Sequence, residues 1–204
     1  MQIIKSESIG NAWKDALKLI KYKGNSVYDG EIKLKEIINL IFEIENPLEN
    51  DEIIKKFGDE AMIKFMFSNF LEQEPVLNWG YSYGQRIFNF ENIDQLEDIK
   101  QKLKKNTESK SATLCLMNPP KDKNHSPCIN VLDFKIRDGH LILTAFFRSQ
   151  DIGKKFYADA LCITHLGKMI TKEFENIPIK LVMNIVSAHI YEPDLKRVNE
   201  IIGE

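Results

Sequence analysis

Ile129-Asn130-Val131-Leu132-Asp133-Phe134-Lys135-Ile136 and His140-Leu141-Ile142-Leu143-Thr144-Ala145-Phe146-Phe147, joined through Arg137-Asp138-Gly139, decide the fold of this chain. The first run alternates apolar and polar residues at the period of two that a half-buried strand needs. Asp138-Gly139 tolerates the left-handed backbone of a two-residue hairpin turn, so the second run returns antiparallel. Beyond the hairpin, Phe156 to Phe174 reads as a long, mostly apolar helix. Ile179 to Val186 reads as a strand leading into Ser187-Ala188-His189-Ile190-Tyr191, and Pro193 to Ile202 as a short charged helix.

On the N-terminal side, Ala112 to Met117 reads as a buried strand broken by Asn118-Pro119-Pro120, after a polar connector from Lys104 to Lys110. Asn92 to Lys105 is expected to be helical, with Ile93, Leu96, Ile99 and Leu103 inward. Asn78 to Arg86 is expected to be an aromatic, glycine-containing loop, and residues 58–73 a helix with Ala61, Met62, Phe65, Met66 and Phe70 on one side. Residues 33–46 read as a strand with some helical ambiguity, stopped at Asn46-Pro47. Residues 8–22 form a helical stripe capped by Ser8 and ended by Gly24-Asn25-Ser26. Interleaved helices and strands predict a single α+β domain over residues 1–204, with one mixed or antiparallel sheet covered by helices.

The 204 residues can bury one substantial core. Apolar residues make up 43% and charged residues 28%, and the net charge is −2. That balance argues against a general nucleic-acid binder, which carries a basic excess, so an anionic ligand must be held by a few placed cations. No apolar run approaches the roughly 18 residues of a membrane span. The early lysine at position 5 argues against a signal peptide. Cys115, Cys128 and Cys162 show neither even pairing nor CxxC spacing, which fits a reducing cytoplasm and no structural zinc. His125 and Cys128 alone make a weak metal pair, and no metal is expected.

Cys115 and Cys162 sit inside apolar stretches and read as small buried hydrophobes. Cys128 differs, because the polar Ser126-Pro127 loop presents it at a strand entrance. A free thiol is only a few per cent ionised at neutral pH, so a nucleophilic cysteine needs a cation nearby. Arg148, on the return strand, is the candidate. With Ser149 it also forms a guanidinium and hydroxyl pair suited to gripping a phosphate.

Pro127-Cys128, Arg148-Ser149-Gln150-Asp151, Asp159 and His189-Ile190-Tyr191 together resemble the thymidylate synthase family, which includes the pyrimidine hydroxymethylases. The family's Pro-Cys nucleophile, Arg-Ser-x-Asp, helical asparagine and His-x-Tyr fall at these positions without insertion or deletion. Tyr83-Gly84-Gln85-Arg86 resembles a contracted Tyr-Gly-x-Gln-Trp-Arg loop, and Ser109-Lys110-Ser111 falls where the family has Ser-Arg-Arg. The likeness covers roughly residues 58 to 191, with a compact form similar to the methanogen-type enzymes.

The resemblance implies that Cys128 adds to C6 of a pyrimidine nucleotide, so that C5 takes a one-carbon unit. The donor it implies is 5,10-methylenetetrahydrofolate or a related tetrahydropterin, the tetrahydromethanopterin type included. Arg148 and Ser149 bind the 5′-phosphate, next to Asp151 of the same motif. His189 and Tyr191 hold the ribose hydroxyl, and Tyr83 assists proton removal at C5. Glu60 matches the glutamate that orders water around the base, and Trp79 stacks near the pterin. Lys110 reaches the phosphate across a homodimer.

Three departures shape the expected chemistry. Asp159 stands where uracil-specific members have asparagine. A carboxylate accepts from an exocyclic amine, and a protonated carboxyl also satisfies the bare N3 of cytosine, so a cytosine nucleotide (dCMP or CMP) is the expected substrate. Ile129 replaces the usual histidine after the nucleophile, and Ser111 replaces one phosphate arginine. The chain ends soon after Tyr191, which would admit water and favour a hydroxymethyl product over a methyl one. A compact enzyme making dTMP from dUMP is the nearest alternative, and a non-catalytic nucleotide-binding paralogue the third reading.

Overall fold

The computed structural model describes residues 1–75 and 80–204. Among these, seven strands form one mixed sheet: β1 (Gln2–Ser6), β2 (Asn25–Asp29), β3 (Ile32–Ile44), β4 (Thr113–Cys115), β5 (Ile129–Arg137), β6 (His140–Asp151) and β7 (Ile179–Tyr191). The order is β1-β3-β7-β6-β5-β4, with β2 also on β3. β1 with β3 and β6 with β7 are parallel, and the other pairs are antiparallel. The expected α+β class holds.

The hairpin forms as its sequence requires, with Asp138 (φ 49°) and Gly139 (φ 73°) both left-handed at the turn. The β5–β6 register shifts between Ile129 and Val131, a bulge that bends β5 immediately after Cys128. β3 is long enough to serve three partners. Its first half pairs with β2, its second half pairs with β1, and β7 runs along the other edge. Asn39, at φ 59°, lies between the two halves.

The helices are α1 (Ile9–Lys23), α2 (Glu52–Phe57), α3 (Glu60–Leu71), α4 (Tyr83–Phe88), α5 (Gln95–Lys105), α6 (Phe156–Thr171) and α7 (Leu195–Ile202). Ser8 caps α1 as expected, its Oγ accepting from the Asn11 N–H at 3.3 Å. Parallel neighbours need a crossover, and α6 makes the one from β6 to β7, buried along almost its whole length. Trp13 of α1 packs against Tyr157 of α6, the rings tilted at 44° with centroids 4.4 Å apart, and donates its indole N–H to the Ile152 carbonyl at 2.7 Å. Phe42 meets Phe156 at 4.6 Å. On the reverse side of the sheet, Ile41, Asn184 and Phe146 stand in cross-strand register, with Phe146 43% exposed.

Several local expectations are corrected. Residues 83–86 of the expected loop belong to helix α4, because Ser82 Oγ accepts from the Gln85 N–H at 2.9 Å and donates to the Glu72 carbonyl at 2.6 Å. A helix this short carries too little periodicity to read. Gly84 lies inside it, where a Cβ would come within 2.2 Å of the Glu72 carbonyl oxygen. The Asn25-Ser26 stop opens β2, and β1 and α2 were not foreseen. Helix α5 starts at Gln95 with Asp94 as its cap, and α6 ends at Thr171. β7 continues unbroken to Tyr191, so its last residues are strand. Cys115 is exposed, because on edge strand β4 the alternation turns Leu114 and Leu116 inward and Cys115 out.

Candidate active site

Where β6 passes into α6, the ends of β3 and β7, the loop before β5 and the helices α3 and α4 enclose a cavity of about 590 Å³. Cys128, Tyr83, Arg148, Ser149, Asp151, Asp159, His189 and Tyr191 all line it. Eight residues scattered over more than a hundred positions of sequence thus share one space of ligand size.

Cys128 is partly exposed, and its carbonyl accepts from the Arg148 N–H at 2.9 Å across the β5–β6 pair. The Arg148 side chain folds back over the same loop. Its Nε donates to the Pro127 carbonyl at 3.0 Å, and one Nη donates to the Ser126 carbonyl at 2.8 Å. That Nη lies 3.9 Å from Cys128 Sγ, and Ser149 Oγ lies 3.7 Å from it. The other Nη donates to Ser149 Oγ at 3.2 Å. A guanidinium and a hydroxyl therefore both face the sulfur.

Tyr83 is buried in the cavity wall. Its hydroxyl accepts the Ile129 N–H at 3.5 Å, its own N–H donates to Asn69 Oδ1 at 3.2 Å, and its ring meets Phe70 edge-on at 5.0 Å. Burial, then the neighbouring Cys128 and Asp159, hold its phenol well above the usual tyrosine range. Tyr83 therefore stays a neutral hydroxyl near pH 7 and can only pass a proton along.

At the β7 end of the cavity, His189 and Tyr191 project with their rings edge-to-face at 5.1 Å. His189 Nδ1 lies 3.3 Å from Ser187 Oγ, which donates to Glu36. Tyr191 donates to Asp29 at 3.1 Å, and burial, followed by that hydrogen bond, pushes its phenol up to about 12. Asp151 is raised above the usual carboxylate range by burial, with His189 opposing the shift.

Asp159 closes the inner end. It is 3% exposed, Gln150 Nε2 donates to its Oδ2 at 2.6 Å, and its Oδ1 is buried with no hydrogen-bond partner among the described residues. Burial pushes its carboxyl up to about 7, against the Gln150 hydrogen bond that lowers it. A carboxyl poised in this way can be donor or acceptor near neutrality.

Two other candidates lie elsewhere. Glu60 is exposed in the first turn of α3, pairs with Lys64 at 3.9 Å, and lines a separate groove with Glu49 and Leu161. Met66 and Asn69 are the α3 residues that reach the cavity. Asn69 is nine positions from Glu60, which on about 3.6 residues per turn puts the two on opposite sides of the helix. Lys110 is exposed in the connector and does not line the cavity of its own chain. Trp79 lies outside the described residues.

Asn69, Gln150, Glu36, Ser187 and Lys155 also line the cavity but had been given no role. Only Gln150 carried a signal, as the variable position of Arg148-Ser149-Gln150-Asp151. Among the described residues there is no group of three or more side chains that could hold a metal, and no helix long and apolar enough to cross a membrane.

The sequence profile described as thymidylate synthase matches residues 33–204. Three methanogen proteins, each provisionally named a thymidylate synthase, are similar over nearly the whole chain. Those of Methanosarcina mazei and Methanosarcina acetivorans are 30% identical, covering 98% of this chain and 94% of theirs. That of Methanothermobacter thermautotrophicus is 30% identical, covering 98% and 97%. The family acts on pyrimidine nucleotides with a methylenetetrahydrofolate-type one-carbon donor. With its cysteine, arginine and His-x-Tyr gathered in one cavity, this chain is a one-carbon transferase belonging to the thymidylate synthase family.

Proposed function

We propose that the chain hydroxymethylates C5 of a cytosine nucleotide, dCMP or CMP. The observation that carries this reading is Asp159, a buried carboxyl near its midpoint at neutral pH with one oxygen uncommitted. The Cys128 thiolate adds to C6, which makes C5 nucleophilic toward the one-carbon unit. Arg148 and Ser149 hold the 5′-phosphate, and His189 and Tyr191 accept the sugar. Tyr83 relays the C5 proton outward as the bond from the transferred carbon to its donor breaks, which leaves an exocyclic methylene on the ring still held by Cys128. Water entering from the open side at Arg148 adds its oxygen to that methylene and gives up a proton, and the Cys128–C6 bond then breaks, returning the thiolate and freeing the hydroxymethyl product.

Tyr28, Tyr81, Tyr83 and Tyr191 give the cavity aromatic faces, and Asp151 gives it a carboxyl acceptor. These residues fit a tetrahydropterin, which supplies the one-carbon unit when bound. A cytoplasmic setting suits the three free thiols.

The working unit in this proposal is a homodimer. The described lining carries Arg148 and Lys155 against the carboxyls of Asp29, Glu36, Asp151 and Asp159, so a dianionic phosphate needs another cation. The exposed Lys110 of a second copy would supply it. The partly exposed Ile41–Asn184–Phe146 row, apolar on either side of the asparagine, offers a face for the pairing.

Tritium release from 5-tritiated dCMP, CMP and dUMP, with and without methylenetetrahydrofolate, tests the reading against Cys128→Ser. Release from a cytosine nucleotide in wild type, lost in the serine variant, is expected. Equal or better turnover of dUMP removes the cytosine assignment and favours dTMP synthesis, the reading that the names of the methanogen relatives favour. Nucleotide binding without release would instead indicate a non-catalytic paralogue.

A further inference from the structure

A neutral carboxyl is an ambiguous reader of a pyrimidine edge. Cytosine offers a bare N3 and an amino group at C4, and uracil offers N3–H and a carbonyl at C4. A carboxylic acid has one donor and one acceptor oxygen, so it can match either base, depending on which oxygen carries the proton. Selectivity therefore needs something that makes the two oxygens of Asp159 unequal.

Gln150 does this in the structure. It is 2% exposed on β6, and its Nε2–H points at Oδ2 of Asp159 from 2.6 Å. An oxygen that accepts an N–H at this distance is the acceptor oxygen of the acid. Oδ1, buried and unpartnered, is the one left for the proton and for a ligand in the cavity. An orphaned polar atom in a wall otherwise satisfied is a place where a ligand group belongs.

We propose that Gln150 is a positioning residue for base choice, which fixes the Asp159 proton on Oδ1 so that Oδ1–H donates to N3 of cytosine while Oδ2 accepts from the C4 amino group. This rests on the cytosine reading above. Uracil would then set its N3–H against Oδ1–H and its C4 carbonyl against Oδ2, two mismatched contacts at once. Other charged or titratable groups facing Asp159 are Lys155 at the N-cap of α6, Asp151 at the end of β6, Tyr83 from α4 and Cys162 one turn later on α6. They act on both oxygens' shared charge, whereas the Gln150 hydrogen bond singles out one.

The test is calorimetric binding of dCMP and dUMP to wild type, Gln150→Leu, Gln150→Met, Asp159→Asn and the Asp159→Asn, Gln150→Leu double variant, from pH 5.5 to 8.5. Leucine and methionine remove the donor while keeping comparable bulk, and circular dichroism selects whichever folds. Either is expected to lower the dCMP over dUMP affinity ratio about tenfold, the scale of one hydrogen bond. Either should also move the pH midpoint of dCMP binding upward, because the bond that favours the carboxylate is gone. In the Asp159→Asn background the Gln150 change should leave the ratio alone, which shows that Gln150 acts through Asp159. An unchanged ratio and midpoint, or an equal loss for both nucleotides, overturns the proposal and leaves Gln150 a packing residue. Wild type preferring dUMP overturns the cytosine reading, and with it the assignment of Oδ1–H to cytosine N3. Wild type binding neither nucleotide overturns both.

Discussion

Arg148 grips the loop that carries Cys128 from both sides, donating to the Pro127 and Ser126 carbonyls with one Nη 3.9 Å from the cysteine sulfur. A rigid fork is required for this, since three separate directions are used from one planar group. Arg148→Lys keeps the charge but can satisfy only one direction at a time. The expected result is a fall of about 10²-fold in kcat/KM for tritium release, the scale of a small misplacement of reacting groups. Folding stability should drop by only about 1 kcal/mol, because the lost bonds lie at a partly solvated edge. Steady-state kinetics beside urea melts separate the two, and wild-type kinetics in the lysine variant would refute the role.

Tyr83 presents a different balance. Its hydroxyl makes only a 3.5 Å contact with the Ile129 N–H, yet its ring is sealed by Phe70 and its own N–H is held by Asn69. Tyr83→Phe keeps all but the hydroxyl, so the melting temperature should barely move. If the hydroxyl relays the C5 proton, tritium release should slow by about 10²- to 10⁴-fold, the range for a lost acid or base. Nucleotide affinity should hold. A variant that binds less but turns over normally would make Tyr83 a packing residue.

Asp159 should leave a signature in stability even without substrate. Burial lifts its carboxyl from 3.8 in the reference state to about 7 in the fold. Between those values the folded protein holds the proton that the unfolded chain has lost. This contribution to stability therefore falls as pH rises from about 4 to about 7, and is level above that. Asp159→Asn lacks the term. The melting temperature of the variant minus that of wild type should climb across the same window and then flatten, with the other titrating groups cancelling in the difference. A difference independent of pH would mean that the carboxyl is not protonated in the fold.

The hairpin and the Cys128-to-Tyr191 spacing were legible because each depends on local rules, alternation and turn chemistry in one case and a fixed count of residues in the other. What escaped depends on tertiary approach. Helix α4 is six residues long and is held by the Ser82 to Glu72 contact, which no periodicity announces. Strand β2 exists because the first half of β3 has a free edge for it. Glu60 was placed by the family resemblance alone, yet the rotation of α3 turns Asn69 to the cavity instead. Gln150 stood inside a recognised motif, but its partner is nine residues away on another element, so its role emerges only when β6 and α6 are set side by side.

Arg86 and Asp122 carry the last prediction. Both are nearly sealed, at 4% and 5% exposed, and the guanidinium meets the carboxylate with both Nη atoms. Arg86 also donates to the Leu116 carbonyl and stacks 3.7 Å from the Tyr81 ring centroid, while Asp122 accepts the Asn118 N–H at 2.7 Å. The pair thus ties α4, which bears Tyr83, to the loop that leads into Cys128. Burial works to raise the Asp122 carboxyl, but the Arg86 and Asn118 bonds outweigh it and hold it below the usual range. Its stabilisation is therefore complete above the ordinary carboxylate pKa and is lost as pH falls through and below that value. Arg86→Leu strands a buried carboxylate and should cost about 3–5 kcal/mol at pH 7 in urea melts, with a smaller deficit in acid. Replacing both partners, as Arg86→Met with Asp122→Leu, should recover much of the loss, since no charge is then left unpaired. The recovered protein should still release tritium slowly, because the clasp between Tyr83 and the nucleophile loop has gone. A double variant as active as wild type would show that the clasp serves stability alone.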